Sequence, residues 1–197
     1  TTQIDDVLSR PDVEAVYIAT PVYLHKDQVI AAAWAGKHVL VEKPMAMTLT
    51  DGEEMLSVCS AQGVKFAAGY MMRFHAHHQR LRQMIDEGVL GQVVFGRAQL
   101  TCWYPEIPGA WRQDPALGGG GAFMDMGTHC LDLLEMLIGP VKRVAAFMST
   151  LTFGYAVEDT ATVLVEFENG AQGVVDVSFN VPDDAAQNVL EIRGTKG

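Results

Sequence analysis

Positive charge is scarce in this chain. Fourteen lysines and arginines stand against 24 aspartates and glutamates, a net charge of -10 over 197 residues. So acidic a chain is repelled by phosphate backbones and anionic lipid, which argues against nucleic acid and membrane surfaces as partners. Cysteine is scarce too. Cys59, Cys102 and Cys130 are odd in number and far apart, so they form neither a disulfide framework nor a zinc-ligand pattern. A reducing cytoplasm is the simplest setting. No apolar run reaches the roughly 20 residues of a membrane span, because charges or glycines interrupt each one. The start, Thr1-Thr2-Gln3-Ile4-Asp5-Asp6, is not a signal peptide. Repeats and low-complexity tracts are missing as well. What is present is 49% hydrophobic and 19% charged residues, the balance of a globular chain. Its length suits one good domain or two small ones. It begins without methionine, inside an expected helix, and stops where the strand Glu191-Ile192-Arg193 runs into a turn. Both ends are expected to be cuts inside a larger fold.

The first third alternates strands and helices. Ile4 to Arg10 reads as a helix remnant, Val13 to Thr20 as a strand, His25 to Ala35 as a helix and Val39 to Val41 as a buried strand. The spacing Thr50-Asp51-Gly52-Glu53 predicts a capping box and a helix to Gln62, and Val64 to Tyr70 reads as a third strand. Strand, helix, strand, helix, strand with short links predicts a parallel sheet. The rhythm then changes. Helices are expected over His77 to Glu87 and Ala122 to Leu137, and strands over Val93 to Trp103, Val141 to Thr152 and Val189 to Arg193. Thr160 to Phe167 and Ala171 to Phe179 flank an Asn169-Gly170 turn, the mark of a hairpin. Hairpin-linked strands predict an antiparallel sheet. The expected fold is therefore α/β: half of a Rossmann-like parallel sheet over residues 1–72, then an α+β domain with a mostly antiparallel sheet over 73–197.

Two segments carry chemistry. The strand His38-Val39-Leu40-Val41 ends in Glu42-Lys43-Pro44. Open α/β sheets hold their ligands at strand carboxyl ends, so Lys43 is placed to touch substrate; a solvated Glu-Lys pair is the plainer alternative. Thr20-Pro21 ends the preceding strand at the same edge, and His25 opens the helix behind it. The second segment is Gly118-Gly119-Gly120-Gly121 followed by Asp125 and His129. Four glycines let a backbone come close to a ligand or to another backbone. On an α-helix, residues four apart share a face, so Asp125 and His129 are expected to point the same way among apolar neighbours. Either they form a structural hydrogen bond, or His129 is a general acid/base oriented by Asp125. With Lys43 as a donor to an oxygen that gains charge, the set suits oxidation of an alcohol carbon or reduction of a ketone. No side chain accepts hydride, so that chemistry requires a cofactor.

Lesser signals surround these. Arg73, at the third strand end, binds a polar ligand or is a plain surface arginine. Trp103, Tyr104, Trp111 and Arg112 wall a sugar-like pocket or simply pack. His75, His77 and His78 resemble a metal cluster, but no carboxylate or cysteine completes it, so no metal is expected.

On Ala19-Thr20-Pro21 with His25, Glu42-Lys43-Pro44, Trp111-Arg112 with Asp114, and the glycine run leading to Asp125 and His129, the chain resembles the Gfo/Idh/MocA oxidoreductases over almost its whole length. The resemblance implies a Rossmann domain followed by an α/β domain with an open sheet, through which members pair as homodimers or homotetramers. It implies Lys43, Asp125 and His129 as the catalytic set. It puts Thr20, Pro21, His25, Glu42, Lys43 and Pro44 at the cofactor, NAD or NADP, with Pro44 often cis. It puts Arg73, Trp111 and Arg112 at a sugar, cyclitol or polyol substrate. Three family features are missing: the glycine-rich turn after the first strand, the residue that selects NAD or NADP, and the asparagine after Thr-Pro, where Val22-Tyr23 stand. Two other readings stay open. One is a non-catalytic sugar-binding or scaffold homologue that has lost cofactor binding. The other is a lyase or glycosidase using a tightly held NAD.

Overall fold

Three short strands, each bringing apolar side chains to a common helix-covered face, assemble in chain order. In the computed structural model, which describes residues 3–197, β1 (Ala15–Ile18), β2 (His38–Val41) and β3 (Phe66–Ala68) pair in parallel in that order. Helix α1 (Ile4–Leu8) precedes them, and α2 (His25–Trp34) and α3 (Leu49–Ala61) make the crossovers. Thr1 and Thr2, where the expected start lies, are outside the described residues. This first unit runs to Gly69 and takes in Ala116–Gly119. Both crossover helices pack on the same face of the sheet, where Val39 and Val41 meet Val29, Ala32, Ala33, Met55 and Cys59. Each such side chain contributes about 1.5–3 kcal/mol by leaving water. The sheet is covered on that face alone. Leu40 is 42% exposed and Tyr17 58%, so the fully buried strand expected over Val39–Val41 is half-buried instead.

The helix starting near Thr50 is capped elsewhere than its sequence suggested. Thr48 is the N-cap: its backbone is extended and its Oγ1 accepts from the Asp51 N–H at 3.1 Å. The capping pair is Thr48 with Asp51, not Thr50 with Glu53. Both spacings exist in the sequence, and the first lies two residues closer to the end of β2.

The second unit comprises Tyr70–Pro115 and Gly120–Gly197. It contains α4 (Ala76–Asp86), β4 (Val93–Thr101), a π turn (Phe123–Gly127), α6 (Thr128–Ile138), β5 (Val141–Ser149), β6 (Thr160–Phe167), β7 (Gln172–Ser178) and β8 (Val189–Gly194). A four-residue helix, α5 (Pro115–Gly118), ends on the first glycine of the run and from Ala116 onward belongs to the first unit. The sheet order is β5-β6-β7-β4-β8; every neighbouring pair is antiparallel except β4 with β7. The Asn169-Gly170 turn forms as expected. Gly170 has φ +86°, and Asn169 Oδ1 accepts the Ala171 N–H at 3.0 Å. Alternation along β6 and β7 sends Val163, Val165, Phe167, Val175 and Val177 into one core with Leu134 and Leu137 of α6. The opposite face carries Leu164, Val174 and, at 83% exposure, Phe147.

The helix expected as one piece over Ala122 to Leu137 opens with the π turn. Gly127 makes room for it: a Cβ there would lie 2.3 Å from the Phe123 ring. A π turn bonds five residues back rather than four, so α-helical spacing does not describe the Asp125-to-His129 relation.

Candidate active site

In the first unit the predicted residues gather at the carboxyl ends of β1 and β2. The ladder continues past the strands: the Glu42 N–H donates to Ile18 O at 2.8 Å and the Gly69 N–H to Val41 O at 2.7 Å. His25, at the start of α2 and 1% exposed, sits behind these ends. Its Nε2 lies 2.9 Å from Thr20 O, and its Nδ1 lies 3.1 Å from Pro44 O and 3.3 Å from Met45 O. The ring thus lies within hydrogen-bond distance of the turn after β1 on one side and the turn after β2 on the other, and a neutral imidazole donates to one of them. Thr20 Oγ1 donates to Gln28 Oε1 at 2.7 Å, which fixes Thr20 from α2. Glu42 turns back on its own strand. Its Oε2 accepts the Lys43 N–H at 3.1 Å, and its Oε1 accepts from the Tyr17 hydroxyl. That hydrogen bond to Glu42 pushes the Tyr17 phenol above its ordinary range. Lys43 is half-buried on this support, and the Lys43–Pro44 peptide bond is cis.

In the second unit the π turn carries Asp125, and α6 carries His129. Arg112 Nε lies 3.5 Å from Asp125 Oδ1, and the Arg112 guanidinium stacks on the neighbouring Trp111 ring at 4.3 Å. Trp111 and Arg112 belong to a short 3-10 turn held by Gln113, whose side chain bonds Ile107 N and Pro105 O. Arg112 thus meets Asp125 directly. Tyr70 packs edge-on against His129, with ring centroids 6.0 Å apart. Burial, more than the nearby Asp132 charge, pushes the Tyr70 phenol up. Arg73 donates through Nε to both carboxylate oxygens of Asp132 at 2.8 Å. Its guanidinium is therefore committed to an ion pair with α6. His75 and His77 are exposed, and among the described residues no group of three histidines, cysteines or carboxylates could hold a metal.

Two residues that sequence reasoning passed over organise this unit. The Glu158 carboxylate accepts from the Gly121 N–H at 2.8 Å and the Phe123 N–H at 2.9 Å, while its own carbonyl accepts from Ala122 N. A Cβ at Gly121 would lie 1.9 Å from that carbonyl, so close approach of backbone to backbone explains this glycine. Asp159, next in sequence and fully buried, accepts the N–H groups of Leu151, Thr152 and Phe153. The available signal was a pair of adjacent acids opening an otherwise apolar alternating strand.

The first unit fits one part of a dinucleotide site. Polar groups and Lys43 stand at the carboxyl edge of a parallel sheet, where such ligands bind. The glycine run does not supply the phosphate-binding turn, since it follows α5 rather than a strand of the parallel sheet.

Comparison with known proteins bears on both units. A family model described as "Oxidoreductase family, NAD-binding Rossmann fold" matches residues 1–70, and one described as "GFO/IDH/MocA C-terminal domain" matches residues 78–197. The chain is 33% identical over 198 residues to 1,5-anhydro-D-fructose reductase of Ensifer adhaerens, covering 100% of this chain and 59% of that protein. It is 32% identical over 208 residues to 2,7-anhydro-N-acetylneuraminate hydratase of Mediterraneibacter gnavus, covering 100% of this chain and 53% of that protein. A solved structure of levoglucosan dehydrogenase in complex with NADH and levoglucosan matches with TM-score 0.93 at 29% identity, over 99% of this chain and 55% of that one. The chain thus spans little more than half the length of these relatives.

Proposed function

The chain belongs to the GFO/IDH/MocA oxidoreductase family, and on that premise we propose that it is the larger part of an NAD- or NADP-dependent dehydrogenase acting on a CH–OH group of a sugar, cyclitol or related polyol. The observation that carries the reading is the His25 clamp, whose contacts to Thr20 O and Pro44 O join the two turns, the second bearing Glu42 and Lys43, at the ligand edge of a family-matched parallel sheet. Relatives named as sugar dehydrogenases and reductases support the substrate class.

The roles follow from the chemistry of the side chains. The Lys43 ammonium donates a hydrogen bond to the reacting oxygen and stabilises charge that builds there. The Nδ1 atom of His129 is buried, so the proton of the substrate hydroxyl moves to Nε2. Asp125, held by Arg112, supplies the negative charge that balances the imidazolium created by that transfer. A nicotinamide, when bound, supplies the hydride acceptor. A positioned general base contributes about 10²–10⁴ in rate, and one donor to a developing oxyanion about 10²–10³. His129→Ala and Lys43→Ala in the intact enzyme should therefore each lower kcat by at least about 100-fold; near wild-type turnover in both would sink the assignment.

The hydratase among the relatives favours a second reading, in which a retained dinucleotide is reduced and reoxidised within one cycle. Reduced cofactor then never accumulates over steady turnover. We further assign assembly as a homodimer or homotetramer through the sheet face bearing Phe147 and Leu164, in a cytoplasmic setting. A second copy suits those exposed apolar side chains, and sedimentation of the intact protein as a monomer would contradict the assembly.

A further inference from the structure

We propose that Glu158 is a positioning residue for the catalytic helix: a single side chain and its carbonyl set the backbone from which Asp125 and His129 project. This rests on the catalytic reading of those two residues.

The first N–H groups of a helix have no partner within it. Here three successive ones, at Gly121, Ala122 and Phe123, are taken by Glu158 Oε2, O and Oε1 at 2.8, 2.9 and 2.9 Å. Two of the three bonds go to a carboxylate, the stronger kind, and a negative charge belongs at a helix N-terminus. The constraint passes down the chain, because the Asp125 N–H donates to Gly121 O at 3.0 Å. At the far end of the same turn, the Phe123 ring lies across Gly127, where no Cβ fits. Phe123 is therefore held at its N–H by Glu158 and at its ring by Gly127. Glu158 itself cannot drift. Asp159 anchors the adjoining backbone to Leu151, Thr152 and Phe153, and Gly121 admits no side chain between the two strands of backbone. A π turn is rare and recurs at functional sites, and Glu158 is the group that takes up the N–H groups leading into this one.

The test uses Glu158→Gln in the intact protein, beside His129→Ala. Glutamine keeps the length but turns an N–H₂ toward a backbone N–H. Three readouts are taken. Amide hydrogen exchange over 121–127 needs no substrate and should quicken at least about tenfold at Gly121 and Phe123. Turnover, with NAD and NADP against levoglucosan and with NADH and NADPH against 1,5-anhydro-D-fructose, should lose about 100-fold in kcat, the cost of a misplacement near 1 Å. The dinucleotide Kd should stay unchanged. A merely structural residue would not split kcat from Kd. Unchanged exchange, or faster exchange with wild-type kcat, overturns the proposal. Wild-type turnover in His129→Ala overturns the parent reading instead, whatever Glu158→Gln does. Should Glu158→Gln fail to fold, Glu158→Asp, which keeps the charge but shortens the reach to the Gly121 and Phe123 N–H groups, is the milder variant, and the same readouts decide.

Discussion

Replacing Asp159 with alanine should destabilise the second unit more than any other single surface-remote polar change, and its size can be worked from the contacts. The carboxylate is fully buried and accepts from Leu151 N at 2.9 Å, Thr152 N at 2.8 Å, Phe153 N at 3.1 Å and the Thr160 hydroxyl at 2.9 Å. The Thr160 hydroxyl can rotate to another acceptor; the three backbone N–H groups cannot. An unsatisfied buried donor costs about 1–3 kcal/mol. Leu151 and Thr152 are exposed residues, so water reaches part of the turn and the lower end applies. The expected loss is about 3 kcal/mol, or about 6–12 °C in Tm for a chain of this size. The effect should depend on pH in a definite direction. Burial pushes the Asp159 carboxyl up, but the three backbone N–H groups and Thr160 outweigh it, and the net shift is downward. A carboxyl held low in the folded state stabilises above its unfolded pKa, about 3.9, and loses that contribution as pH falls through the folded value. Urea titrations of wild type and Asp159→Ala at neutral pH and at about pH 3 would measure this. The gap between them should be full at neutral pH and narrower in acid. A variant within about 0.5 kcal/mol of wild type, or a gap that does not change with pH, would refute the reasoning.

Two further outcomes are expected. Thr48→Ala should cost about 1 kcal/mol through loss of the α3 cap, while Thr50→Ala should change stability by under about 0.5 kcal/mol; chemical denaturation giving the reverse order would return the cap to Thr50. Burial pushes the Cys130 thiol up to about 12. It should therefore resist an aromatic disulfide reagent in the native protein near neutral pH and react only at the rate of unfolding, whereas prompt labelling would show the core around Leu134 and Leu137 to be open.

Local pattern carried much of this fold and part of its site. The alanine-rich stretch from His25, the strand Val39-Leu40-Val41 and the Asn169-Gly170 turn each declare themselves within a few residues, because periodicity and turn chemistry are short-range. The parallel pairing of β4 with β7 does not, since more than 70 residues separate Phe95 from its partner Gln172. The π turn was hidden because apolar spacing over five residues fits α and π windings alike. Thr48 and Thr50 present near-equivalent capping spacings, and tertiary placement chose between them. His25 was legible as a site residue, but what it does was not: it works through three carbonyls, which have no sequence identity. Glu158 escaped for a related reason, since it lies 37 residues from Gly121 and grips main chain rather than any side chain.

On the proposed reading, Lys43 and His129 serve hydride transfer from a polyol carbon. The most direct measurement is the fate of deuterium placed on the carbinol carbon of candidate sugars and cyclitols, mixed in excess with the intact protein and NAD or NADP. The account predicts deuterium in the reduced nicotinamide, which accumulates with the oxidised product, and loss of both in Lys43→Ala and His129→Ala. Substrate consumed with no deuterium reaching the dinucleotide, or transfer unimpaired in both variants, would contradict it.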